Sequence, residues 1–157
     1  MVGQKILRIL KFLCKEFAKA DISWVLAGSL SLALQGVSVE PRDIDILTDR
    51  QGAFKINAML KKYEVKKVEY SQTDKTASFL GIFRIDGVKV EVMGDYKERE
   101  GDRWTSLSHR LRKQRTVEID GITIPVSPLK DQLTSYKRSK RSKDTEKVQK
   151  ILQNSKT

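Results

Sequence analysis

The sequence predicts one α+β domain in which helices flank a mixed β-sheet. Helical and strand-like segments alternate along the N-terminal part of the chain, which is typical of a sheet covered by helices. Two Asp-Gly pairs, Asp86-Gly87 and Asp120-Gly121, each lie between apolar segments, the pattern of a β-hairpin with a type I′ turn. The 157 residues contain no internal repeat and no linker rich in Gly, Ser or Pro. A single domain is therefore predicted over residues 1–154, with a frayed tail over residues 155–157.

Each element follows from hydrophobic spacing or from capping residues. Apolar residues at helical spacing and cap-like starts predict helices over residues 3–20, 30–35, 51–62, 128–136 and 143–152. Strand-like runs predict strands over residues 24–27, 43–47, 64–70, 79–85, 88–93, 116–119 and 122–124. In the third helix, Phe54, Ile56 and Leu60 are expected to be available for burial. Residues 94–115 are strongly charged and are expected to form a loop and a short helix.

Composition excludes several classes of protein. No apolar run approaches the roughly 20 residues that a membrane-spanning helix needs, so no membrane partner is expected. Lysines and an arginine interrupt the apolar stretch Ile6 to Phe17, which therefore indicates an amphipathic helix of a cytoplasmic protein. Cys14 is the one cysteine and His109 the one histidine, so neither an internal disulfide nor a structural zinc site is expected.

The formal net charge of +11 favours an anionic partner. Such a charge attracts polyanions, including NTP, nucleic acid and acidic surfaces. A basic solvated surface without a single partner has the same composition, so charge alone leaves both interpretations open.

A Gly-Ser pair lies where the first predicted strand meets the second predicted helix. Gly28 allows the backbone to approach a ligand closely, and the hydroxyl of Ser29 and the free N–H groups of a helix start suit a phosphate. Taken alone, the pair is more typical of an ordinary turn and cap.

Two aspartates alternate on the second predicted strand. Residues two apart on a strand share a face, so Asp43 and Asp45 project together while Ile44 and Ile46 pack on the other side. Carboxylates so placed repel each other, and a divalent cation such as Mg²⁺ or Mn²⁺ would compensate for the repulsion. An exposed edge strand with its acids in water is the alternative.

A third carboxylate lies on the strand that follows Asp86-Gly87. Val88, Val90 and Val92 point to one side of that strand, and Glu91 points to the other. If this strand neighbours the one that carries Asp45, Glu91 can complete a three-carboxylate metal site. An ordinary amphipathic hairpin strand is the alternative.

The combination of these motifs resembles a known signature. Gly28-Ser29, a gap of thirteen residues, Asp43-Ile44-Asp45 and a later strand acid resemble the DNA polymerase β-like nucleotidyltransferase superfamily. The segments WVLAGSLSLALQG and PRDIDILTD are similar to small minimal and antibiotic-type nucleotidyltransferases. The later VSPLKDQLTSYKRSKRSKD is similar to the Pro-led helix and basic segment that follow the core in many of them. The resemblance covers about residues 24–144.

The resemblance implies an enzyme that transfers NMP, with AMP the first to test, from NTP to an acceptor hydroxyl and releases pyrophosphate. It implies a mixed sheet that holds two Mg²⁺ ions, or Mn²⁺ in their place, with NTP as co-substrate. The implied ligands of the metals, and catalytic residues, are Asp43, Asp45 and Glu91. Relatives more often carry Asp at the third position, and Glu69 is the nearest rival of Glu91 there. The implied contacts to the nucleotide phosphates are Gly28 and Ser29. Arg42 could pair with the aspartates or with phosphate, and a surface arginine is the alternative. Cationic side chains stabilise charge on a transferring phosphoryl group, so the triphosphate or the acceptor could be contacted by Lys137, Arg141 and Lys143, for which a solvated basic turn is the alternative.

The acceptor and the partners stay open at this point. The acceptor could be a small molecule, a protein hydroxyl or a tRNA end. A homodimer or a small partner protein of the toxin–antitoxin kind could complete the pocket, as in small relatives. The alternative function is a non-catalytic nucleotide- or nucleic-acid-binding module on the same fold. In its nucleic-acid form the basic stretches at residues 97–115 and 137–143 would be the functional surface.

Overall fold

Most predicted segments form the elements expected of them in the structure, a computed structural model that describes residues 2–139 and 142–155. The helices are α1 (Gln4–Lys19), α2 (Gly28–Leu34), α3 (Arg50–Met59), α4 (Leu129–Ser139) and α5 (Ser142–Ser155). The strands are β1 (Trp24–Ala27), β2 (Ile44–Thr48), β3 (Glu64–Gln72), β4 (Thr76–Ile85), β5 (Val88–Glu100), β6 (Arg103–Ser106), β7 (Arg115–Ile119) and β8 (Ile122–Val126). Short 3₁₀ helices follow α3 at Lys61–Tyr63 and β6 at Ser108–Leu111.

The described strands form one mixed sheet of eight. Its order is β3-β4-β5-β2-β1-β8-β7, and β6 pairs with the far part of β5. The β2–β5 and β1–β8 pairs are parallel, and the remaining pairs are antiparallel. This arrangement confirms the predicted α+β class with a mixed sheet, and it places β2 at the centre between β1 and β5.

The main core lies between one face of the sheet and the helices α1 and α3. Helix α1 is amphipathic, and its apolar side is buried, with Leu10, Leu13 and Phe17 fully inaccessible to solvent. The ring of Phe17 packs edge-on against Trp24 of β1, with 5.2 Å between the ring centroids. Burial of these side chains provides the main stabilisation of the sheet from this side.

The same alternation that fills the core aims the polar residues of β2 and β5 at the opposite face. Ile44 and Ile46 of β2 belong to the main core, as do Val90 and Val92 of β5. The intervening residues of these strands therefore project to the other side, where α4 and α5 lie. The core packing thus determines on which face a functional site can form.

The two predicted hairpins are confirmed. Asp86 and Gly87 have φ angles of 49° and 82°, and Asp120 and Gly121 have 50° and 78°, as a type I′ turn requires. In the described part of the chain, no helix combines the length and the apolar character needed to span a bilayer.

Several sequence expectations need correction. Residues 94–100 continue β5, and residues 103–106 return as β6, where a loop was expected. The hairpin forms because cross-strand pairing and a turn at Gly101 hold charged side chains that have no helical or strand periodicity of their own. Phe54 is 43% exposed, since its ring packs at the surface against Phe79 rather than in the core. Helix α5 includes Ser155, and residues 156 and 157 lie outside the described residues.

Gly94 of β5 lies where α3 packs against the sheet, so a larger residue there tests this packing. A Cβ added at Gly94 would lie 2.8 Å from both the Cβ of Ala53 and the carbonyl oxygen of Asp49, and backbone atoms cannot move aside cheaply. We expect Gly94→Ala to lower the free energy of unfolding by about 2 kcal/mol, measured by urea denaturation. Gly3→Ala is the matched control, because nothing lies within 4 Å of its added Cβ, and it should cost less than about 1 kcal/mol. Equal midpoints for the two variants would contradict the packing.

Candidate active site

The backbone at Gly28 lies directly against the side chain of Asp45. Gly28 follows β1 directly and has a φ of +68°, a conformation that favours glycine. A Cβ added there would overlap the Asp45 carboxylate, with its Cγ only 2.9 Å away. The turn between β1 and α2 is therefore pressed against this carboxylate, and glycine is required both by the backbone and by the lack of space.

The pairing of β2 with its two neighbours brings Asp45 and Glu91 together. Asp45 is the register partner of Ala27 on one side and of Glu91 on the other. Both carboxylates project to the face opposite the main core and line the same cleft. Glu69, the rival third acid, lies exposed on the edge strand β3. Glu91 is therefore the acid that faces Asp45.

The surroundings of Asp45 disfavour its ionised form. The pKa of Asp45 is raised to about 7, first by burial and then by the negative charges of Glu91 and Asp43. Lys147 and Lys89 lower the pKa of Asp45 by smaller amounts. The repulsion indicates that these three carboxylates act on one region, although Asp43 directly precedes β2 and is itself exposed.

The donor set fits a divalent cation that prefers oxygen ligands. A bound cation would favour the ionised form of Asp45 and so lower its raised pKa. Gly28 also adds no side-chain atom next to this carboxylate. Within residues 2–139 and 142–155, no three His, Cys, Asp or Glu side chains are already gathered closely enough to hold one ion. The Glu91 carboxylate instead lies 4.0 Å from the ammonium of Lys89, as expected for like charges that repel each other.

A cleft of about 470 Å³ opens on this face of the sheet. It is lined by Gly28, Asp45 and Glu91 and by residues of the β3–β4 turn, the far part of β5 and the helices α4 and α5. Its cationic residues are Lys75, Arg99, Arg110, Arg138 and Lys147. The volume lies in the range of small-molecule sites.

Gln132 ties the helix α4 to the Gly28 turn. Its side chain is almost fully buried, and its Nε2 donates to the carbonyl of Gly28 at 3.1 Å. Its Oε1 accepts from the hydroxyl of Ser31 at 2.7 Å. The same Nε2 lies 3.2 Å from the hydroxyl of Tyr136. This buried amide therefore fixes the turn, α2 and α4 relative to one another.

A buried charged network forms the far wall of the cleft. Glu98 of β5 accepts from Arg138 at 2.7 Å and from Ser135 at 3.0 Å, both on α4. Arg110 is also buried, and it donates to Ser135 and to the carbonyl of Asp131. Sequence reasoning missed both Glu98 and Arg110. In the sequence both residues lie in a charged segment, and composition does not distinguish charges that become buried from charges that stay in solvent.

The predicted phosphate contacts are not all gathered at the cleft. Ser29 is half-buried next to Gly28. Arg42 and Lys137 are exposed and do not line the cleft, whereas Arg138, the next residue along α4, does. Arg141 lies outside the described residues.

Three solved structures share this architecture. A Thermotoga maritima protein designated a nucleotidyltransferase is 38% identical, with a TM-score of 0.84 over 98% of this chain and 96% of its own. The lincosamide antibiotic adenylyltransferase LnuA, solved with lincomycin, is 16% identical with a TM-score of 0.62, over 96% of each chain. ANT(2″)-Ia, solved with adenylyl-2″-tobramycin, is 11% identical with a TM-score of 0.60, over 97% of this chain and 90% of its own. At these last two identities the likeness shows the fold alone.

The fold and the match to the Thermotoga protein define the class as nucleotidyltransferase, and this confirms the resemblance seen in the sequence. Residues 9–151 match the aminoglycoside-2″-adenylyltransferase family, and the chain belongs to that family. It is accordingly an enzyme of the nucleotidyltransferase type. No curated protein sequence matches the chain at a significant level.

The raised pKa of Asp45 predicts a pH-dependent stability. Its ordinary value is 3.8, so between about pH 4 and pH 7 the folded chain holds a proton that the unfolded chain releases. The contribution of Asp45 to stability is therefore lost as pH rises through this window. We expect Asp45→Asn to raise the free energy of unfolding of the metal-free protein by about 2 kcal/mol at pH 8 and to have little effect below pH 4. Urea denaturation across this range checks it, and a difference that does not vary with pH would contradict the burial of this charge.

Proposed function

We propose that the chain transfers NMP, in the first instance AMP, from NTP to a hydroxyl of an acceptor and releases pyrophosphate. The observation that carries the proposal is the pair formed by Asp45 and Glu91, opposite each other on parallel strands beside the Gly28 turn. AMP is favoured because the family and two of the neighbours with this fold are adenylyltransferases.

In this proposal Asp43, Asp45 and Glu91 hold two Mg²⁺ ions, or Mn²⁺ in their place. Bound divalent ions neutralise phosphate charge and lower the pKa of a hydroxyl that they contact. Asp45 supplies the central carboxylate, because it lies between the other two acids and next to the Gly28 turn. Glu91 accepts the proton of the acceptor hydroxyl, since it stands beside Asp45 and is only partly buried.

The nucleotide phosphates are proposed to lie against Gly28 and Ser29. Gly28 places the backbone beside the Asp45 carboxylate with no side chain between them, and Gln132 of α4 donates a hydrogen bond to the carbonyl of Gly28. Rigid placement of the turn matters because phosphoryl transfer depends chiefly on positioning and charge stabilisation. Arg42 remains a proposed phosphate contact because of its positive charge, as do Lys137 and Arg141, although Arg42 and Lys137 do not line the cleft.

A small hydroxyl compound is the acceptor to test first. The neighbours with the same fold were solved with lincomycin and with adenylyl-2″-tobramycin, and the cleft has the volume of a small-molecule site. A protein hydroxyl and a tRNA end are the other proposed acceptors, and the net charge of +11 suits the second. A homodimer or a small partner protein could contribute to the acceptor side.

The experiment is incubation with α-³²P-labelled ATP, and then each other NTP, with Mg²⁺ or Mn²⁺. A panel of lincosamides and aminoglycosides, the protein itself and tRNA serve as acceptors. We expect labelled acceptor and pyrophosphate with the wild type, and a loss of at least about 100-fold in rate for Asp45→Asn and for Glu91→Gln. Removal of divalent cations with EDTA should give the same loss.

Glu69→Gln is the matched control, because it removes a carboxylate of the same sheet that lies far from Asp45. It should retain the wild-type rate. Wild-type transfer that survives Asp45→Asn, or that Glu69→Gln abolishes while Glu91→Gln does not, would contradict the proposed site.

A further inference from the structure

Lys147 of α5 is a cation that sequence spacing did not single out and that the fold brings into the cleft. It lines the same cleft as Gly28 and Asp45, and its side chain is only 20% exposed. The ammonium of Lys147 therefore lies in the same cleft as the proposed catalytic carboxylates Asp45 and Glu91.

A chain of contacts relates Lys147 to the Gly28 turn. Gln132 donates to the carbonyl of Gly28 at 3.1 Å, and the same nitrogen lies 3.2 Å from the hydroxyl of Tyr136. The ammonium of Lys147 lies over the ring of Tyr136, 4.9 Å from its centroid. Consequently α2, α4 and α5 meet at this point, and Lys147 stands at the end of the cleft where Gly28 lies.

Lys147 forms an ion pair with the buried carboxylate of Asp144 but does not donate a hydrogen bond to it. Its ammonium lies 3.6 Å from Asp144, beyond the usual 2.7–3.2 Å of a hydrogen bond. The other cleft cations each donate to a protein oxygen: Lys75 to Ser139, Arg99 to Gly101, Arg110 to Asp131 and Arg138 to Glu98. Among the described residues of the cleft, Lys147 is thus the cation whose three N–H groups make no hydrogen bond within the protein.

We propose that Lys147 binds the triphosphate of the bound NTP and then the pyrophosphate leaving group. This role rests on the proposed function and extends it to a further residue. In the transfer the acceptor oxygen bonds to the α-phosphorus, and its proton passes to Glu91. The bond from the α-phosphorus to the bridging oxygen breaks, and the electron pair stays on pyrophosphate. Charge grows on that leaving group, and a desolvated ammonium with uncommitted donors stabilises it. This is the role that the sequence had suggested for Lys137 and Arg141.

Calorimetric titration of the protein with inorganic pyrophosphate and Mg²⁺ tests the proposal without turnover. We expect Lys147→Gln to weaken binding at least about 10-fold and Lys147→Arg to stay within about threefold of the wild type. Lys150→Gln is the control on the same helix, because Lys150 pairs with Glu146 at 3.4 Å and does not line the cleft. Its affinity should be unchanged. In the transfer assay, the KM for ATP should rise for Lys147→Gln and recover for Lys147→Arg.

A second measurement uses the wild-type chain, so the test survives any variant that folds poorly. Pyrophosphate with Mg²⁺ should protect Lys147 from acetylation by acetic anhydride, read by mass spectrometry, while Lys150 reacts at an unchanged rate. Wild-type affinity in folded Lys147→Gln, or equal acetylation of Lys147 with and without pyrophosphate, would overturn the proposal. A wild type that binds pyrophosphate through Lys147 but transfers no NMP would refute the proposed function and leave the phosphate site intact.

Discussion

The parallel pairing of β2 with β5 is the constraint on which the rest of the site depends. It places Asp45 beside Glu91, two like charges in a half-buried position, next to a glycine turn that leaves no room for a side chain. Such an arrangement is unfavourable for the metal-free fold, because burial and the charge of Glu91 raise the cost of ionising Asp45. The apolar partners of the same strands, Ile44 and Ile46 among them, hold the pair in place through the main core. The main core on one face of the sheet thus stabilises the fold, and the candidate site lies on the opposite face.

The C-terminal helices α4 and α5 complete the cleft in which the two acids lie. Helix α4 is tied to the Gly28 turn by Gln132 and to the far part of β5 by the ion pair of Arg138 with Glu98. That ion pair is largely buried, so loss of one partner would leave the other charge buried without it, which is strongly destabilising. Helix α5 packs on α4 and adds Lys147 to the cleft. The end of the cleft at Gly28 is therefore built from residues distant in sequence, which contact one another.

Local rules of sequence were sufficient for most of the fold and for the strand faces on which Asp45 and Glu91 project. Strand β1, the Asp-Gly hairpins and the alternation around Asp45 and Glu91 follow from short-range spacing, which the structure reproduces. The extension of β5 could not be predicted in this way, because its charged residues are held by cross-strand pairs and by α4.

The cations of the cleft could not be predicted either. The segment from Lys137 to Lys150 carries Lys or Arg at many positions, so composition does not distinguish those that face the cleft from those in solvent. Neighbouring residues of a helix point about 100° apart, so Lys137 and Arg138 have different surroundings. The packing angle of α4 and α5 decides which of them lines the site.

The central claim is that the acids on β2 and β5 form a divalent-metal centre for NMP transfer. The most direct measurement is the number of Mn²⁺ ions bound per chain, read by electron paramagnetic resonance in the presence of a non-hydrolysable ATP analogue. The account predicts two Mn²⁺ ions for the wild type and the loss of at least one in Asp45→Asn. Binding of Mn²⁺ with unchanged number and affinity in Asp45→Asn would contradict it.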